Sequence, residues 1–93
     1  MKYEIQPRTY KEAEKLGLIV CNSSNPKYKI EVYDDDGIFL FYGGAAGYGD
    51  YPTYLKENGK AYAAERRRLY NIRHKKELEK PYSRGWVIAK LLW

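Results

Sequence analysis

Ninety-three residues, with 17 Lys/Arg against 12 Asp/Glu, set a formal net charge of +5 and leave room for one domain with a single modest core. The one cysteine, Cys21, excludes an internal disulfide framework and fits a reducing compartment. The polar start MKYEIQPRTYKEAEKLG argues against a secretory leader, and no apolar run approaches a membrane span, so the chain reads as soluble and intracellular.

Lys2 to Ile5 alternates polar and apolar and is expected to form a short edge strand ended by Pro7. Thr9-Tyr10-Lys11-Glu12 has the spacing of a capping box, opening a helix near 10–16 with Tyr10, Ala13 and Leu16 inside and Gly17 as its stop. Leu18 to Cys21 is an apolar strand, and Asn22 to Pro26 is a turn. Lys27 to Tyr33 then alternates with period two, Asp34-Asp35-Asp36-Gly37 reverses the chain, and Ile38 to Tyr42 returns it, a hairpin with the Asp-Gly signature. The acidic turn lacks the spaced oxygen ligands and distant Glu of a calcium loop, so no metal site is expected there.

Gly43 to Pro52 holds four glycines in seven residues, with Tyr48, Asp50 and Tyr51 beside them. No Walker Lys-Ser/Thr and no strand-glycine-helix fingerprint accompanies the glycines, which are read as bending the chain off the hairpin while Asp50 or Tyr51 locks the loop. Tyr54 and Leu55 begin a turn of helix before Asn58-Gly59. Ser83 is expected to cap a last helix, Arg84 to Trp93, with Trp86, Ala89 and Trp93 at helical spacing and Val87, Leu91 and Leu92 widening its apolar arc.

Lys60 to Lys80 carries the whole charge excess, with eight Lys/Arg against three Glu. On a wheel of roughly 100° per residue, Ala61, Tyr62, Leu69 and Ile72 form a narrow apolar stripe expected to pack on the sheet. Arg66, Arg67, Tyr70, Arg73 and His74 fall within an arc of roughly 120° on the same wheel, so guanidinium groups flank an aromatic ring. With Arg68, Lys75 and Lys76 this surface suits phosphates, and Tyr70 would stack a base or sugar. The competing reading is a solvated helix face supported by pairs such as Glu65 with Arg68. The fold expected from these elements is α+β, a small antiparallel sheet around the 27–42 hairpin packed by an N-terminal helix, the basic helix and the C-terminal helix.

Strand KYKIEV, a second strand ending FYGG, then GYGDY, RLYNIRH and RGWVIAKLLW stand in an order that resembles a family of small uncharacterised proteins of large DNA viruses and phages. Its pattern is a hairpin ending in Phe-Gly, a Gly-Tyr-x-Asp-Tyr loop, a helix with Tyr-x-x-Arg-His and a Leu-Leu-Trp close, matched over the last two thirds of the chain. The N-terminal helix and KKELEK after Arg73-His74 depart from it. The resemblance implies a viral origin and a fold, and no established activity.

Catalysis needs a constellation that these residues do not supply. His74 with Glu77 offers two metal ligands at most, Cys21 has no histidine that sequence can bring to it, and no cofactor motif occurs. A GIY-YIG-like nuclease is the one enzyme weighed, and its metal-binding Glu has no room before residue 93. The expectation is therefore a binding protein, with nucleic acid held through its backbone in a salt-dependent way and with little sequence preference. The alternative is a viral factor that meets an acidic protein surface, either a capsid or virion component or an inhibitor of a host defence protein of the anti-CRISPR type. That role would use Tyr48, Asp50, Tyr51, Tyr54, Trp86 and Trp93, with self-association as a further option and no membrane partner.

Overall fold

The computed structural model describes residues 3–93. It is an α+β chain in the order α1 (Pro7–Lys15), β1 (Leu18–Asn22), β2 (Tyr28–Asp34), β3 (Phe39–Ala45), α2 (Tyr51–Asn58), α3 (Lys60–Arg73), α4 (Lys75–Leu78) and α5 (Arg84–Leu92). Two compact units divide it, one running up to Tyr48 with the sheet, the other from Gly49 to Trp93 with the remaining helices.

In the first unit the period-two alternation produces an antiparallel sheet of order β1-β2-β3. Central β2 buries Ile30 and Val32, with Val20 of β1 opposite Val32. The hairpin turn is closed by Asp34, whose Oδ1 accepts from the amides of Asp36 (3.0 Å) and Ile38 (2.9 Å), while Gly37 takes a φ of 81° that a side chain would resist. β3 does not end at Tyr42 as expected. It runs on to Ala45 because glycines keep their backbone donors and acceptors, and buried Gly43 lies opposite Ile30, where a side chain is not needed. A shift in register between Val32 and Tyr33 marks a bulge in the same pair.

The expected edge strand over 2–5 does not form among the described residues, Lys2 lying outside them. Instead the Tyr3 carbonyl accepts from the Asn22 side chain at 2.5 Å. α1 starts at Pro7, with Gln6 as N-cap, and not after a Thr9 cap. Proline already holds the φ of a first helical turn and its missing N–H costs nothing there. Its buried side chains are Thr9 and Ala13, one turn apart, while Tyr10, expected inside, is exposed and Leu16 is half-buried.

In the second unit Asp50 caps α2, its carboxylate accepting from the Thr53 amide at 2.9 Å, with Pro52 in the first turn. Gly49 precedes it because a Cβ there would run into the Tyr54 ring. Gly59, at a φ of 88°, separates α2 from α3. The basic stretch is not one helix. It breaks at His74 (φ −110°, ψ 23°) into α3 and the single turn α4. Ser83 caps α5 as expected, its hydroxyl accepting from the Trp86 amide at 3.3 Å, and five of the nine residues of α5 are buried, Leu91 and Leu92 completely. No helix among the described residues is long and apolar enough to cross a membrane.

The Asp50 carboxylate is fully buried, so Asp50→Ala removes an N-cap and should cost about 1 to 2 kcal/mol in a urea melt, with Asp50→Asn retaining most of that stability.

Candidate nucleic-acid interface

The buried face of α3 is the reverse of the one its hydropathy selects. Ala63 and Tyr70, seven residues apart, are buried, and Arg66 and Arg67 between them are half-buried. Ala61, Tyr62, Leu69 and Ile72, the expected packing stripe, are exposed, Ile72 to 62%. The cause is local chemistry. Arg67 lies with its guanidinium 4.2 Å from the Tyr51 ring centroid and donates from Nε to the Trp93 carbonyl at 2.5 Å, while Arg66 sits 5.5 Å over Tyr54. Both arginines thus find partners for their charge on rings, and their stems cover apolar surface.

Tyr70 is 8% exposed and held between two rings, Trp93 at 4.4 Å and 12° and His74 at 4.2 Å and 24°. It cannot stack a base, which corrects the role expected of it. Burial pushes its hydroxyl above the ordinary tyrosine value, and the charge of Glu77 adds to the rise. His74 also brings Nδ1 to 3.3 Å from Glu77 Oε1, so the His-x-x-Glu pair is satisfied within itself. Arg68 is exposed but forked onto Glu65, with bonds of 3.0 and 2.6 Å that hold the Glu65 carboxyl below its usual range and Arg68 above its own.

What remains for an anion is a different subset. Arg73, Lys75 and Lys76, around the helix break, and Lys60 and Lys80 at the ends of the stretch are exposed and make no ion pair among the described residues. The unit from Gly49 to Trp93 holds eleven Lys/Arg against five Asp/Glu, so these cations belong to a unit of net positive charge.

The residues expected to meet a protein partner divide in the same way. Asp50 is consumed by its cap, Tyr51 lies under Arg67, and Tyr54 meets Tyr62 edge-on at 5.3 Å and Trp93 at 6.2 Å. Trp86 is half-buried between Tyr82 (4.8 Å) and the Lys90 ammonium (5.2 Å). Tyr48, 75% exposed, is the member of the set open to a partner.

On the sheet lies a group that sequence reasoning missed. The Glu31 carboxylate accepts from the Tyr33 hydroxyl and from the Ser24 amide (2.6 Å), beside the thiol of Cys21 directly across the ladder. Those donors, Tyr33 first, hold Glu31 below the ordinary carboxylate range. The Glu31 bond in turn lifts Tyr33 to about 12, and burial followed by the Glu31 charge raises Cys21. The strand alternation 29-31-33 was the available signal, because it sets a carboxylate and a phenol on one face. The three carboxylates of Asp34, Asp35 and Asp36 lie within 4.8 Å of one another, with Asp34 occupied by turn amides.

Comparison of the chain with family models, with curated proteins and with solved structures returns no match.

Two outcomes are expected. Arg67→Ala should lower stability by about 1 to 3 kcal/mol in a urea melt, since it removes a charged hydrogen bond and a ring contact, whereas exposed Arg73→Ala should stay within about 0.5 kcal/mol. Tyr33, raised in the folded chain, contributes stability that is complete below pH 10.0 and lost as pH rises through about 12. Glu31, lowered, contributes stability present above its ordinary range and lost as pH falls through its folded value. Glu31→Gln should return Tyr33 toward 10.0, read from the pH dependence of its ring carbons by NMR.

Proposed function

We propose that this chain is a non-enzymatic nucleic-acid-binding protein that grips the phosphate backbone with Arg73, Lys75 and Lys76, assisted by Lys60 and Lys80. The observation that carries the reading is that these cations are exposed and make no ion pair among the described residues, while Arg66, Arg67 and Tyr70 are committed to internal contacts. Contacts of this kind recognise backbone charge, not base edges, so affinity follows salt and varies little with sequence. A viral or phage protein acting inside an infected cell is the setting that the resemblance implies for it.

A second reading, docking on an acidic protein surface as a capsid component or an inhibitor of a host defence protein, is favoured by the apolar side chains left exposed among the cations, Tyr62, Leu69 and Ile72. Exposed apolar groups ringed by charge are what a protein interface uses and a phosphate backbone does not.

Fluorescence anisotropy with a short labelled duplex at several salt concentrations tests the first reading. Replacing Arg73, Lys75 and Lys76 together by Ala should weaken binding and flatten the log–log salt slope by about 2 to 3, at roughly 0.9 per phosphate contact. A salt-insensitive interaction, or an unchanged slope in the triple variant, would remove the proposal and turn the search to a protein partner.

A further inference from the structure

The register of the sheet sets Ile19, Tyr33 and Phe39 in one cross-strand row and Cys21, Glu31 and Tyr42 in the next. Directly opposed residues share a face, so these six side chains form one surface. Its rings are tilted against one another. Tyr33 and Phe39 meet at 5.8 Å and 73°, Phe39 and Tyr42 at 4.9 Å and 58°, and Tyr28 continues the series by stacking on Tyr42 at 5.5 Å. Phe39 and Ile19 are 45% and 48% exposed, so the surface is open.

Within it lies Glu31, only 8% exposed. Its donors, the Ser24 amide and hydroxyl, the Tyr33 hydroxyl and the Cys21 thiol, are all neutral, and no cation pairs with it among the described residues. The nearest basic residue along its strand face, Lys29, has its ammonium over the Tyr3 ring at 5.3 Å. A carboxylate so far withdrawn from water ordinarily faces a positive charge.

We propose that this sheet face binds the guanidinium group of an arginine on a basic partner protein, the charge bonding to Glu31 while the plane rests against Tyr33, Phe39 and Tyr42. Arginine fits better than lysine because its flat, weakly hydrated head both stacks on rings and bonds carboxylates. The same chain already makes that contact in its other unit, Arg67 on Tyr51 and Arg66 on Tyr54. Asp34, Asp35 and Asp36, in the turn that leads from β2 toward β3, add negative charge near the surface and favour a basic segment over an acidic one. The site goes beyond nucleic-acid binding, involves different residues, and stands or falls separately.

Aromatic and methyl NMR of the full chain, titrated with N-acetyl-arginine amide, its trimethyllysine counterpart and the neutral citrulline analogue, tests it. Saturable shifts at Tyr33, Phe39 and Tyr42 are expected with arginine, weaker ones with trimethyllysine and none with citrulline. Glu31→Gln should weaken arginine binding about tenfold, as loss of a charge-assisted bond does, and Phe39→Leu about threefold through lost ring contact. Should Glu31→Gln lose its dispersed amide spectrum, Tyr42→Leu, which keeps the carboxylate, decides instead and should also weaken binding. Equal binding of citrulline, tighter binding of trimethyllysine, or a folded variant with undiminished affinity would overturn the proposal.

Discussion

The column of rings Trp93–Tyr70–His74, tied at its end by the Arg67 bond to the Trp93 carbonyl, is the contact on which the second unit depends. α3 buries only two side chains, Ala63 and Tyr70, and Tyr70 alone has the area to anchor a helix this charged. Because Arg66 and Arg67 flank that anchor, their stems must lie against the unit and their charges must be met by something other than water. Tyr51 and Tyr54 meet them. Removing Tyr51 or Tyr54 would uncover the arginine that lies on it, and removing Tyr70 would take away the ring between Trp93 and His74.

The first unit solves the reverse problem with the same residue type. There the charge to be accommodated is a carboxylate, and Tyr33 supports it by donating a hydrogen bond instead of offering a ring face. Tyrosine can do either, since its ring attracts cations and its hydroxyl donates to anions. Eleven tyrosines in a chain this short are therefore less a hydrophobic core than a set of adaptors between charge and apolar surface.

Strong periodicity and specific turn chemistry were legible in the sequence. The strand β2, the Asp-Gly turn and the Ser83 cap each follow a local rule, although β2 buries Lys29 and Glu31 on its polar side as well as Ile30 and Val32. Local rules failed where a competing one was stronger. Pro7 overrides the Thr9 capping box, and Asp50 with Pro52, itself a helix-start signal, ends the glycine-rich segment by opening α2. The inner face of α3 was the larger miss. Counting arginine as polar places Arg66, Arg67, Tyr70 and His74 outside together with Arg73, although with Ala63 their spacing is that of an inner face, and the rings that cover it come from Tyr51, Tyr54 and Trp93, distant in sequence. The Glu31 cluster depends on cross-strand register, which a sequence read one strand at a time does not specify.

The break at His74 has a consequence for scale. An unbroken helix over the whole basic stretch would have been a rod of about 30 Å, whereas the 14 residues of α3 extend about 21 Å before the axis is interrupted. Phosphates along one strand of duplex recur every 3.4 Å or so, and a polyanion lying along α3 would pass about six of them. On the proposed nucleic-acid reading, the footprint of one molecule would be short, roughly half a helical turn of DNA, and coverage of a longer tract would call for many copies side by side.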